Sequence, residues 1–506
     1  MSSTAVGSER VSKIVGYKIL KGDFRETSPN LPQRIAILGE ANHSNQTDLA
    51  ADEPQEITTA QQAGELYGFG SPLYHIMRIL RPLSGDGVGG IPTVVYPQAG
   101  AGGAAAKVVT VTPSGTATDN GTHTLMIAGR AGMDGVFYDI QIEAGDTVAD
   151  ITEKIEDAIN AVLGSPVSAT STDYEATLTT KWRGLTANDL VVEVNDNGND
   201  IGIDYDVVTS QAGTGTPSIA NALAAFGNQW NTIVINGYGT VTAILNALES
   251  FNGVPDAISP TGRYAAILMK PFIAIAGSVS DDPSSITDSR KTQVTNAIAP
   301  APGSDGFPFE SAANMGVLLA VQSQNSPHLD VSGQSYPDMP TPTSIGSMAD
   351  YENRDAIVKK GCSTVDLLNS RYVVQDFVTT YHPVGENPPQ FRYVRNLVID
   401  FNVRYTYYIQ EQINVVDKAL VADNDVVSVD DVIKPKQWKQ ITFNMADDLA
   451  KRALIVNALF MQQSIVVNIS TSNPDRFETA FKYKRSGFSR VVSTDATAGF
   501  NFGTLN

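Results

Sequence analysis

The hydrophobic pattern of the chain changes its period several times. Residues 34–41 (RIAILGEA) and 93–97 (TVVYP) are continuous apolar runs suited to strands buried on both faces. Between them, 58–69 and 72–80 carry apolar residues at helical spacing. The same alternation returns later, with a helix over 219–226, a strand over 231–237, a helix over 241–251, and strands over 263–270 and 272–278. Strand and helix in turn predict an α/β layer with a largely parallel sheet. Residues 280–350 are rich in Pro, Ser, Gly and Asp around one helix, 310–321.

Residues 107–194 instead show a period of two. Strands are expected at 107–113, 122–129, 136–145, 174–182 and 188–194. One helix interrupts them. Asp150 and Glu153 fit a capping box, and Ile151, Ile155, Ile159 and Val162 form its apolar stripe. Small-residue stretches at 99–106 and 211–217 bracket this block and read as flexible linkers. In the last third, 372–382 reads as a strand. Val394 to Ile409 keep a helical period, 447–460 is a second helix and 463–470 a strand. Residues 476–485 alternate strictly, with Phe477, Thr479, Phe481 and Tyr483 on one face.

These patterns predict a multidomain α/β (α+β) chain. Its parts are an N-terminal strand arm (1–28), a core α/β domain in two pieces (29–99 and 216–345), an inserted β-rich domain (100–215), a C-terminal α+β domain (346–472) and a C-terminal strand arm (473–506). Both arms hold an amphipathic strand, carried by Ile14, Val15, Tyr17 and Ile19 at one end and by Phe477, Thr479, Phe481 and Tyr483 at the other. A lone strand must pair with some sheet edge, in its own molecule or in a neighbour. Hinges are expected at 27–32 and 472–475.

Charge narrows the function classes. The 506 residues carry 35 basic against 54 acidic side chains, a net charge of −19 that repels phosphate backbones and argues against a nucleic-acid partner. Residues 131–210 hold sixteen Asp and Glu against Lys154, Lys181 and Arg183, a local net of −13. With flexible linkers on both sides and one-sided charge, the insertion is expected to project outward and to be dispensable for any lattice the chain builds. The single cysteine, Cys362, excludes an intrachain disulfide. No apolar run reaches membrane-spanning length and the first residues show no secretory pattern, so no membrane insertion is expected.

Candidate chemistry is sparse. Residues 85–90 match GxGxxG, but a helix precedes and a strand follows, the reverse of a dinucleotide loop. His43, His75, His123, His328 and His382 form no close pair. Residues 195–206 (NDNGNDIGIDYD) read as a solvated acidic turn or a calcium loop without EF-hand order. No cofactor, metal site or catalytic set is expected. Lys434, Lys436, Lys439, Lys451 and Arg452 form the clearest basic cluster, either a solvated face or a patch for an acidic partner.

Three groups of segments resemble the contractile tail-sheath proteins of bacteriophages, in particular the Mu-like branch. The first comprises 34–41, 57–80 (ITTAQQAGELYGFGSPLYHIMRIL) and 92–97; the second 145–161 and 165–190 in the insertion; the third 353–383 and 391–405. Their order and spacing carry the resemblance, since no single short motif is specific. It implies a structural subunit that polymerises as stacked rings or a helix around a tail tube. Arms would exchange strands between subunits, and contraction would drive the tube through a host envelope. Implied partners are further copies of the chain, the tube protein, and baseplate and terminator proteins, in the virion tail after assembly in the host cytoplasm. The basic cluster is the candidate tube-facing surface. An enzyme on the α/β core and another self-assembling surface or fibre protein are the competing readings; electron micrographs separate cylinders from sheets or fibres.

Overall fold

The computed structural model describes residues 29–46, 53–85 and 87–498. Ile14, Val15, Tyr17, Ile19 and the rest of the N-terminal arm lie outside the described residues. The chain divides into two compact units. The larger runs from Asn30 to Tyr405 and takes in Ala453–Val456 and the segment from Tyr483 onward. The smaller holds Thr406–Arg452 and Asn457–Lys482. The expected 346–472 domain is thus divided at Tyr405, and 100–215 shares one unit with the sheet.

Apolar runs without alternation become strands buried on both faces. In the larger unit a six-stranded sheet has the order Asn296–Pro300, Ile273–Ser278, Ile233–Asn236, Ile35–Leu38, Thr93–Val95, Gln55–Glu56. All neighbours are parallel except the last pair, so an antiparallel edge strand closes one side. Ile35, Ile37, Ile233, Ile235, Ile273 and Ile275 join the core cluster that includes residues of helices Pro72–Leu80 and Pro308–Asn325. Ala36, Leu38, Val94, Val234 and Ala274 face the other way, into a cluster with helices Ala220–Ala224 and Thr242–Asn252. Gly316 permits the close approach of helix to sheet, because a Cβ there would lie 2.2 Å from Ile235 Cδ1.

Residues 263–270 are not the expected strand. Gly262–Ala265 is a short helix, Met269 has φ of +37°, and Ile267 is 99% exposed. The insertion forms a four-stranded sheet, Ile203–Gln211, Val108–Gly115, Ala176–Thr180, Val167–Ser171, and a three-stranded one, Val192–Asn195, Gly121–Ile127, Asp139–Ile142. Helix Val148–Asn160 buries Ile151, Ile155 and Ile159. Its capping box uses Thr147 and Asp150, one turn before the expected pair, because the Thr147 hydroxyl accepts from the Asp150 amide while the Asp150 carboxylate accepts from the Thr147 amide. The two bracketing segments pair with each other, Ala105 N–H with Thr214 O at 3.0 Å and Thr214 N–H with Ala105 O at 3.1 Å. They are a sealed double connection, which corrects the expectation of flexible linkers.

In the smaller unit, helix Pro435–Lys451 packs Trp438, Met445 and Leu449 inward. The helix expected over 447–460 is broken. Ala453 takes φ of +54°, and Asn457, at φ of +55°, caps a new helix, Ala458–Ser464. Strands Val466–Ile469 and Phe477–Ala480 form an antiparallel hairpin. The expected hinge at 472–475 is the turn of that hairpin, with the Arg476 amide donating to Asn473 O.

Candidate functional site

In an open parallel sheet the default ligand crevice lies beyond the carboxyl ends of the strands, where strand order reverses. Here that point falls between Ile35–Leu38 and Ile233–Asn236. The chain itself fills it. Glu40, only 3% exposed, accepts from the Thr186 hydroxyl, and Thr186 Oγ1 accepts from Trp182 Nε1 at 2.9 Å. Tyr238 donates to Gln98, and a Cβ on Gly277 would lie 1.6 Å from Pro308 O. Side chains and backbone of the insertion and of helix Pro308–Asn325 therefore occupy the place where a substrate would sit.

A buried charged group lies at the same junction. Arg130 Nη1 meets Glu310 Oε2 at 2.8 Å, and Arg78 and Arg130 both reach Asp338. His75 is fully buried 3.9 Å from Glu310, and burial, with Arg78, Arg130 and Lys181 nearby, holds its imidazole neutral. Beside this cluster is an open groove of about 1270 Å³, walled by apolar residues such as Leu83, Val88 and Leu318, with Arg78 and Arg371 balanced by Asp134 and Asp338.

Burial pushes the Glu40 carboxyl up from 4.5 to about 8, against the lowering effect of its Thr186 hydrogen bond. The folded chain thus holds a proton on Glu40 that the unfolded chain releases near its ordinary value. This contribution to stability is complete below about pH 4.5 and is lost as pH rises through about 8. His75 works in the opposite sense, losing stability as pH falls below 6.5. Glu40→Gln should therefore flatten the alkaline arm of the wild-type profile, with a difference on the order of a few kcal/mol between pH 5 and 9. Urea midpoints of the two proteins across that range are the measurement. Parallel profiles would show that Glu40 does not carry the proton.

The remaining candidates resolve individually. The described residues of the GxGxxG segment lie between helix Pro72–Leu80 and strand Thr93–Val95, with Arg81 donating to Gly89 O and Ile91 O. In 195–206, Asn197 and Asn199 spend their amides on Thr122 O, Asp196 accepts from the Gly198 amide, and the segment runs into strand Ile203–Gln211. Among the described residues no three His, Cys, Asp or Glu gather as a metal site. Cys362 is fully buried, and burial pushes its thiol up.

The five members of the basic cluster have different surroundings. Arg452 is largely buried, bonded to Thr406 Oγ1 at 3.1 Å and paired with Asp448. Lys434 donates to Asp425 O, and the Lys436 amide to Asp423 Oδ1. Lys439 Nζ lies 5.9 Å from the Phe443 ring centroid. Lys436 and Lys451 are exposed. Lys436, Lys439 and Lys451 remain as the outward cations, interleaved with acids that sequence spacing did not weigh.

The C-terminal strand, expected to pair either in its own molecule or in a neighbour, has a partner strand in its own molecule. Ile469 pairs with Phe477 and Val467 with Thr479. Thr479 Oγ1 accepts from Trp438 Nε1 at 3.0 Å, and Phe481 packs against Tyr407. Tyr483 donates to Asp400 at 2.7 Å. Beyond it, Lys484–Arg485 pairs with Ile455–Val456, and the Arg485 guanidinium grips both oxygens of Asp400. Arg490 is held by Asp330 and Asp376 and lies 3.8 Å over the Tyr393 ring. The ties of Tyr483 and Arg485 to Asp400, and of Arg490 to Asp330 and Asp376, join positions more than 80 apart in sequence, and no periodicity announces them.

No protein-family model matches the chain. The chain is similar to the Mu-like prophage FluMu tail sheath protein of Haemophilus influenzae, 23% identical over 439 residues that span 84% of this chain and 85% of that protein. Among solved structures it is similar to the sheath tail protein of Desulfitobacterium hafniense, at 11% identity and a TM-score of 0.43 over 93% of this chain and all of that one. It is also similar to a chain of the anti-feeding prophage baseplate, at 10% identity and a TM-score of 0.44 over 97% of this chain and all of that one.

Proposed function

We infer that the chain is a structural subunit of a bacteriophage-type tail sheath. The observation that carries this reading is the likeness to a prophage tail sheath protein along 84% of the chain. The filled crevice fits a structural role better than a catalytic one. Among the described residues no helix is long and apolar enough to cross a membrane. The working location is the virion tail, reached from the host cytoplasm, with tube, baseplate and terminator proteins as partners.

Polymerisation by strand exchange draws on a physical feature of the smaller unit. Val466–Ile469 and Phe477–Ala480 form a sheet of two strands, so each has a second edge with no strand against it among the described residues. Open edges accept strands. The hairpin is then the acceptor, and the donors are the segment holding Ile14, Val15, Tyr17 and Ile19 and the stretch after Arg490. Backbone pairing depends little on side-chain fit, so such joints hold while subunits rotate during contraction. Electron microscopy of the purified protein tests the reading: striated hollow cylinders are expected, and sheets or fibres would point to a different assembly.

The tube contact is assigned to Lys436, Lys439 and Lys451. Exposed ion pairs are worth about 0–1 kcal/mol each but repeat on every subunit. Replacing the three by Glu should spare folding and tube-free cylinders, reduce co-assembly on tubes, and be mimicked by high salt. Normal tube-bound sheaths from that variant, counted in micrographs, would exclude the cluster.

A further inference from the structure

The connection between helix Thr242–Asn252 and strand Ile273–Ser278 presents an unusual surface. Ile258 and Ile267 are 91% and 99% exposed, and Leu268 is 44% exposed. The connection is built, not loose. Val254 and Thr261 bond to each other, and the Asp256 carboxylate accepts from the amides of Ile258 and Ser259. Gly253 and Gly262 let the two ends close, since a Cβ on Gly253 would lie 2.1 Å from Thr261 O.

Two cations, Arg263 and Lys270, flank the exposed Ile267 and Leu268 along the chain. Arg263 lies 5.0 Å over the Phe251 ring and donates to Gly227 O. Lys270 donates to Asn228 O at 2.7 Å, and Arg404 to Leu268 O at 3.0 Å. Burial holds the Lys270 ammonium below its ordinary range, and the charged groups acting on it are Arg404 and Arg263, both positive. Asp256, the acid of the loop, spends its Oδ1 on the two amides. On a chain of net −19 this is a cationic, apolar surface suited to a carboxylate-rich partner that also brings apolar side chains.

The chain carries such a partner. Residues 131–210 have a net charge of −13. Their exposed aromatic residues sit among acids, with Tyr174, 62% exposed, between Asp173 and Glu175, and Phe137, 64% exposed, close to Asp134 and Asp139. We propose that the Ile258–Ile267–Lys270 surface of one copy docks the acidic insertion of a second copy. The two faces differ, so the contact is heterologous and repeats head to tail, as a ring or helix requires. It rests on the sheath reading, but it is made by side chains and is separate from strand exchange.

The test is zero-length carbodiimide coupling of polymers assembled from mixed ¹⁴N- and ¹⁵N-labelled full-length chains, read by mass spectrometry. Mixed-isotope amides between Lys270 and carboxylates of 131–210 are expected. Lys270→Arg should remove them without dissolving the polymer. Ile267→Glu should raise the critical concentration for assembly by about tenfold or more. Polymers in which Lys270 couples only within its own chain, or only to carboxylates outside the insertion, would overturn the docking and leave the sheath reading standing. A wild-type chain that forms no polymer would overturn the sheath reading and the docking with it.

Discussion

Excising residues 98–216 and joining Pro97 to Pro217 through a short Gly/Ser linker will destabilise the parallel-sheet layer. Charge and composition predict the opposite, a detachable outer domain. Trp182 decides the matter. Its side chain is fully buried, with its ring centroid 5.5 Å from Phe307 and 6.1 Å from Phe309, and those two rings stack at 4.7 Å. Without the insertion both phenyl rings lose that indole contact. Glu310, fully buried, loses the Arg130 guanidinium at 2.8 Å and keeps only the more distant Arg78 at 3.7 Å, which weakens the compensation of its buried charge. Glu40 loses its Thr186 hydroxyl. These losses together are comparable with the whole stability of an ordinary domain, about 5–15 kcal/mol. The excised chain is expected to aggregate or to unfold at far lower urea concentration. Trp182→Ala in the intact chain isolates the packing component, at about 3–5 kcal/mol. An excised chain that stays monodisperse with an unchanged urea midpoint would show that the junction is ornamental. Outward projection is a separate matter and stays compatible with either outcome.

That contrast marks where the sequence speaks plainly. The parallel strands are legible because a strand buried on both faces needs an unbroken apolar run, and 34–41, 231–237 and 272–278 have one. The insertion's helix is legible from Ile151, Ile155 and Ile159. Residues 263–270 mislead because Tyr264, Ile267, Leu268 and Met269 have strand composition. Gly262 and Met269, both at positive φ, bound the piece instead, and the side chains of Ile267 and Leu268 are left in solvent. The turn at 472–475 misleads in a different way. Proline and small polar residues mark a hinge and a hairpin loop equally, and only the pairing of Val466–Ile469 with Phe477–Ala480 distinguishes them. The joints that matter most, Glu40 with Thr186, Arg130 with Glu310, and Arg490 with Asp330 and Asp376, link distant positions. Local pattern carries no information about them. The resemblance to sheath proteins bears on the role and says nothing of these contacts.

Two C-terminal truncations will separate assembly from folding. Ending the chain at Ser472 removes strand Phe477–Ala480, so Val466–Ile469 loses its only partner strand among the described residues. Trp438 loses Thr479, and Tyr407 loses Phe481. Asp400, Asp330 and Asp376 lose the guanidinium groups of Arg485 and Arg490. That chain is expected to be several kcal/mol less stable, because it leaves an unpaired strand and carboxylates stripped of their partners. Ending the chain at Arg490 touches none of this. Residues 491–498 are exposed, Val491 and Val492 by 83% and 79%, and exposed residues away from such features rarely move stability by more than about 0.5 kcal/mol. With the stretch after Arg490 as the donated segment, the shorter truncation folds normally and fails to form long cylinders. Arg490→Ala tests the anchor: it keeps the donated segment but unfastens its base, so cylinders should form at a raised protein concentration. Urea titration and electron micrographs of the three variants are the measurements. If the chain ending at Arg490 still builds long cylinders, the C-terminal donor is excluded and exchange rests on the N-terminal segment carrying Ile14, Val15, Tyr17 and Ile19.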